Sequence, residues 1–226
     1  MNKFSLLIVT LLLITKSLTA QITKVSIPLT GNENLVPVNT LISEVNYLGK
    51  SSLKVVKTEE NLDVSLVKVG EVNFKNGIIE VELAGKLAEN AIEQARGFIG
   101  IAFRVNDDNS KFECIYLRPT NGRANEQIRR NHSVQYTSHP DFPWYRLRKE
   151  HPGEYESYVD LEVGAWTKIK IEVQGNQAKL YVHGNSQPTL IVNDLKLGND
   201  IEGSIALWLA IGTEAYFTNL QVTKIN

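Results

Sequence analysis

The chain has 226 residues, 24 Lys+Arg against 25 Asp+Glu, a formal net charge of −1, one cysteine and 42% hydrophobic residues. That length suits one domain with a sizeable core, and the ordinary apolar content excludes a disordered chain. The near-zero charge argues against a surface built throughout for nucleic acid.

Lys3 followed by the apolar run Leu6 to Ile14 and by Ser17-Leu18-Thr19-Ala20 has the order of a secretory signal peptide, with cleavage after Ala20. The run is too short to span a bilayer, which takes about 20 apolar residues. No cysteine follows it, so a lipoprotein anchor is not expected. The expected product is exported, to the periplasm or the medium, with no membrane anchor, and residues 21–226 form a single domain.

Beyond the leader, alternating or β-branched runs predict strands at 52–56, 64–69, 77–83, 97–105, 113–118, 129–136, 166–173, 178–182, 205–209 and 215–222. Turn signals separate most of them: Lys75-Asn76-Gly77, Asn106-Asp107-Asp108-Asn109, Gln174-Gly175-Asn176 and His183-Gly184-Asn185. Many short strands without long helical patterns predict an all-β sandwich or barrel. Cys114 lies in the apolar run Phe112 to Leu117, where it reads as a buried, inert thiol. No Cys/His cluster offers a structural zinc site.

The C-terminal third is the most legible. Trp166 to Val173 alternates strictly, with Trp166, Lys168, Lys170 and Glu172 on one face and Ile169, Ile171 and Val173 on the other. A Gly175 turn leads into Ala178 to Val182, and Gly203 to Trp208 and Ala215 to Val222 supply closing strands. This arrangement resembles the concanavalin A-like jelly-roll superfamily, including laminin-G-like domains, over about residues 70–226. The resemblance implies a β-sandwich of two antiparallel sheets. It leaves function open, because lectins, glycosidases, lyases and adhesion modules share that fold.

The middle of the chain carries the chemistry. Between Arg118 and Lys149 lie seven Lys or Arg against two acids, and six of the chain's eight arginines. His132, His139, Tyr136, Trp144 and Tyr145 fall in the same stretch. Arginine favours planar, bidentate recognition of carboxylate, sulfate or phosphate. The expected partner is an anionic oligosaccharide; an exported, acidic mature chain counts against nucleic acid. If 129–136 is a strand, Arg130, His132 and Tyr136 share a face, and Arg118 on the preceding strand joins them in one groove. Trp144, Tyr145, Arg146 and Arg148 then form a wall.

Hydrolysis by paired carboxylates is disfavoured, since no Glu-x-Asp-x-x-Glu pattern occurs and Glu80-Val81-Glu82 reads as a solvent-facing strand edge. β-Elimination on a uronic acid needs cations for the carboxylate, a base for the C5 proton and an acid for the C4 oxygen. His132 is the expected base and Tyr136 or Tyr145 the acid. Arg118, Arg130 and Arg146 would hold the carboxylate, while Asn121, Arg123, His139 and Trp144 position the sugar.

The runs Tyr116 to Arg123, Arg129 to Tyr136 and His139 to Arg146 are similar in style to the exported ulvan oligosaccharide dehydratases of algal polysaccharide degradation. That resemblance implies a small enzyme working without a metal, which removes the 4-hydroxyl as water from a terminal uronic acid to leave a 4,5-unsaturated product. The alternatives are a polysaccharide lyase of the same chemistry, a lectin-like module for acidic glycans, and a glycoside hydrolase on the same fold. No cofactor is expected. Calcium is compatible with the oxygen-rich Asn106 to Asn109, although a hairpin turn explains that run more simply. A monomer or small homo-oligomer is expected.

Overall fold

Two-residue alternation predicts strands buried on one face; a computed structural model shows where that holds and where both faces are covered. It describes residues 22–225 apart from 32, 60–62, 90 and 94, so the signal-peptide reading of residues 1–20 lies outside the described residues. In chain order the strands are β1 (Ile22–Ile27), β2 (Leu35–Val38), β3 (Thr40–Tyr47), β4 (Lys50–Lys57), β5 (Leu66–Phe74), β6 (Gly77–Leu87), β7 (Ile99–Val105) and β8 (Phe112–Leu117). Two single helical turns follow, α1 (Pro119–Gly122) and α2 (Gln127–Arg130), then β9 (Val134–His139), α3 (Trp144–Glu150) and β10 (Glu156–Ser157). The chain closes with β11 (Thr167–Gln174), β12 (Gln177–Val182), β13 (Leu190–Val192), β14 (Gly203–Leu209) and β15 (Thr213–Ile225).

These strands pair antiparallel into two sheets. The first runs β13-β12-β11-β6-β15-β4-β3, with β1 on the far end of β15; the second runs β10-β9-β8-β7-β14-β5-β2. This is the expected all-β jelly-roll sandwich. Leu53, Val81, Leu83, Ile169, Ile171 and Phe217 from the first sheet meet Val67, Ile101, Phe103, Ile115, Val134 and Leu207 from the second, all almost fully buried. Each such side chain contributes ~1.5–3 kcal/mol of transfer free energy, so the interface between the sheets dominates stability. Gln174 pairs with Gln177 across the Gly175 turn, and Lys168, Lys170 and Glu172 face outward, as the alternation predicts.

β7 and β8 depart from simple alternation, being buried on both faces. Phe112, Cys114, Tyr116, Ala102 and Ala206 form a second apolar layer on the outer side of the second sheet. Gly100 permits it: a Cβ there would lie 2.3 Å from the Ile115 carbonyl oxygen and 2.5 Å from Tyr116 Cβ. Cys114 is fully buried in this layer, and burial pushes its thiol well above the usual range.

Two expectations are corrected. The strand read at 129–136 begins only at Val134, because Arg130 N–H and Asn131 N–H donate to the Glu126 and Gln127 carbonyls and wind 127–130 into a helical turn. Glu80 and Glu82 sit on a central strand rather than an edge, facing outward beside Lys24, Lys168 and Lys50. Among the described residues no helix is long and apolar enough to cross a membrane.

Candidate functional site

The outer face of the second sheet holds a pocket of about 640 Å³. Its floor is aromatic: Tyr116 packs between Phe98, at 5.5 Å between ring centroids, and Trp208, at 4.8 Å, while His139 stacks on Phe112 at 4.8 Å and 11°. Its walls come from the segments between β8 and β10. Pro119 starts α1, which brings Asn121, and Gly122 lets this turn lie on Leu161, whose backbone nitrogen is 2.4 Å from where a Cβ would be. α2 contributes Arg129, the following turn His132, and α3, entered through Pro143, contributes Trp144, Tyr145 and Arg148. Arg96 completes a set of four lining arginines, against Asp63 as the carboxylate among the described lining residues.

Arg118 is the centre of the site. It is 4% exposed, and its guanidinium lies among Phe98, Tyr116 and Trp144 at 4.9, 5.3 and 5.6 Å. Nη2 donates to Tyr116 Oη and to Gln135 Oε1, both at 3.0 Å, and Nη1 is 3.5 Å from Glu156 Oε1. Its Nε has no hydrogen-bond partner among the described residues. An arginine only donates, so Tyr116 accepts this bond, and among the described residues the phenol's own proton has no acceptor. Two buried donors therefore stand unused in one region of the pocket, where an unmet donor costs about 1–3 kcal/mol.

Glu156, on β10, gathers the neighbouring charges. Arg148 Nε donates to both its oxygens at 3.0 Å, and Arg148 Nη2 also reaches Oε1. His132 Nδ1 is 2.6 Å from Oε2, off the line of a straight hydrogen bond. Asn121 Nδ2 donates to the His132 carbonyl at 3.2 Å and fixes that turn. Burial holds the His132 imidazole below its ordinary value, with Arg148 and Arg118 adding to the effect and Glu156 opposing it. His139 is likewise lowered by burial, with Asp63 and Asp141 opposing. Burial raises the Tyr116 phenol, with Arg118 opposing. At neutral pH the two imidazoles are thus neutral and the Tyr116 phenol keeps its proton.

Of the residues expected here, His132, Tyr145, Arg118, Asn121, His139 and Trp144 line the pocket. Four others lie elsewhere. Tyr136 faces the sandwich interior, because it pairs in register with core-facing Ile115 while Gln135 pairs with Tyr116. Arg123 is held outside by Asp160 and Glu162, Arg130 by the Tyr158 hydroxyl at 2.6 Å, and Arg146 by Glu150 and the Asp141 carbonyl. The helical turn explains one exchange: it brings Arg129 to the pocket in place of Arg130. Tyr116 was within reach of the Cys114-Tyr116-Arg118 alternation. Glu156 had no sequence signal, being an isolated acid beyond the basic stretch.

The Asn106 to Asn109 run forms the β7–β8 hairpin turn, where Asp108 Oδ1 accepts from Ser110 and Asn106 Oδ1 from Lys111. Among the described residues no three His, Cys, Asp or Glu side chains gather as a metal site would require.

No protein-family model matches the chain, and no curated protein matches it. Solved structures do match in fold. A carbohydrate-binding module, CBM66 from Bacillus subtilis, superposes with TM-score 0.53 at 14% identity over 84% of this chain and 95% of that one. The Bacillus licheniformis β-glucanase gives 0.51 at 15% identity over 89% and 97%. Peanut lectin gives 0.51 at 10% identity over 91% and 97%. These likenesses define the fold as the jelly-roll sandwich found in lectins and glucanases.

Proposed function

We propose that this protein is a carbohydrate-active enzyme that performs β-elimination at a uronic acid, removing the 4-hydroxyl as water from the non-reducing end of an acidic oligosaccharide. The observation that carries this reading is the contact chain Tyr116–Arg118–Glu156–His132 beside one pocket, with the Tyr116 proton unused among the described residues. The lining arginines suit a sugar carboxylate, and the aromatic floor suits a sugar ring. A pocket of this volume is the size of a small-molecule site, roughly 300–1,000 Å³, which favours a chain end over a polymer.

In the proposed reaction the carboxylate lies against Arg118 and Arg129, which stabilise the charge that develops on it as the C5 proton leaves. His132 Nε2, the ring nitrogen turned away from Glu156, takes that proton. The C5–H electron pair becomes the C4=C5 double bond, the C4–O bond breaks, and the departing oxygen takes the Tyr116 proton and leaves as water. Tyr145 on the rim contacts the sugar instead of acting as the acid. Proton return from His132 to Tyr116 restores the site. We further infer, from Lys3 and the Leu6 to Ile14 run, that the protein is exported.

Incubation with glucuronate- or iduronate-terminated oligosaccharides, ulvan fragments first, should give absorbance from a conjugated double bond and a mass lower by one water. A split chain would mean a lyase instead, and reducing sugar without unsaturation a hydrolase. His132→Ala should lower turnover by ~10²–10⁴-fold with binding retained. Binding without turnover on every uronate tried would leave a lectin-like module.

A further inference from the structure

Glu156 is the least expected member of the site. Its side chain is 3% exposed and contacts Arg118, Arg148 and His132, which come from the end of β8, from α3 and from the turn after α2. A buried carboxylate between two guanidiniums would be accounted for as a counter-ion alone. The third contact is different in kind, because it sets a carboxylate 2.6 Å from one nitrogen of an imidazole that lines the pocket. Carboxylate contact at Nδ1 favours the tautomer with the proton there, so Nε2 carries the lone pair.

We propose that Glu156 is a positioning residue: it sets the His132 tautomer and neutralises Arg118 and Arg148, so that the pocket binds an anionic sugar loosely enough to release it. This rests on the elimination reading for its effect on turnover, but not for its effect on the imidazole. With Glu156 in place, two of the four lining arginines are already partnered, and among the described residues Arg96 and Arg129 have no carboxylate partner inside the site. Arg129 is held weakly, at 3.4 Å from both Glu126 and the Thr120 carbonyl.

Glu156 on β10, Arg148 on α3 and Arg118 after β8 act on the His132 ring, and Tyr116 on β8, Arg129 on α2, Arg96, His139, Tyr145 and Asp63 line the same pocket. Two charge-removing substitutions therefore act on the imidazole with opposite sign. Glu156→Gln removes the negative charge that favours imidazolium, and Arg148→Gln removes a positive one that opposes it.

The experiment is an NMR titration of the His132 ring, assigned by its loss in His132→Gln, in wild type and both variants. Calorimetric binding of a glucuronate-terminated disaccharide and turnover are measured alongside. The imidazole should titrate lower in Glu156→Gln and higher in Arg148→Gln. Glu156→Gln should bind the disaccharide several-fold tighter and turn over ~10–100-fold slower, the usual range for a group that orients another. Shifts of the same sign, or none, in the two variants overturn the proposal. If Glu156→Gln does not fold, an Arg148→Gln imidazole that stays put or moves down overturns it. Opposite shifts in a protein that eliminates no uronate support the role of Glu156 and remove the elimination reading.

Discussion

Tyr116 and Tyr136 stand on neighbouring strands, each almost fully buried, yet they face opposite sides of the second sheet. Tyr136 points into the sandwich, donates to Glu113 Oε2 at 2.6 Å and accepts from Lys196 N–H at 2.8 Å. Glu113 Oε1 accepts in turn from Leu197 N–H at 2.8 Å. Nearby, the buried Arg104 guanidinium donates to the carbonyls of Lys75, Gly175 and Gly198. These groups are satisfied and tie three loops to the sheet. Tyr116 instead accepts from Arg118 and, among the described residues, has no acceptor for its own proton. The same residue type thus closes a network on one face and leaves one open on the other, and the open one lines the pocket.

That contrast can be broken from either side. Tyr116→Phe should cost the most catalytically, ~10²–10⁴-fold in turnover, with little change in the denaturation midpoint. Retained turnover would remove Tyr116 as the acid. Glu113→Ala should do the reverse: the Tyr136 hydroxyl and Leu197 N–H each lose their acceptor, at about 1–3 kcal/mol apiece, while turnover per folded molecule persists. Tyr136→Phe takes a partner from Glu113 Oε2 and from Lys196 N–H, so it should destabilise by about 1–3 kcal/mol and leave turnover unchanged, as urea titration and initial rates would show.

A pH series separates the two faces further. His132 and His139 are lowered from 6.5 by burial, so between 6.5 and their native values the unfolded chain binds protons that the folded one refuses. Stability should fall as pH drops through that window, and His139→Gln should flatten the fall, seen as urea midpoints between pH 7 and 5. Turnover should persist below pH 6.5 until His132 protonates, and survive above pH 10 because Tyr116 is raised. The smallest effect is expected at Arg123→Gln, whose exposed pairs with Asp160 and Glu162 lie outside the pocket: no measurable change in stability or turnover.

The stretch that the sequence singles out lines much of the pocket, and the residues of it that lie elsewhere do so for one reason. Arg118, His132 and Trp144 were recognisable because a cluster of arginine, histidine and aromatics makes a poor core. The strand period assumed for 129–136 then paired Arg130 and Tyr136 with His132. A single helical turn at 127–130 shifts the phase, so Arg129 reaches the pocket and Arg130 reaches Tyr158. Register does the rest, since Tyr136 opposite Ile115 must face the core.

Hydrophobic alternation, turn residues and arginine clustering are local, so the sequence by itself determined an all-β sandwich, its hairpins and the stretch that holds the site. Which face of β9 looks outward, and which carboxylate settles among Arg118, Arg148 and His132, depend on pairings between residues far apart in the chain. Only the tertiary structure decided those, because a one-residue change of register exchanges every side chain between pocket and core.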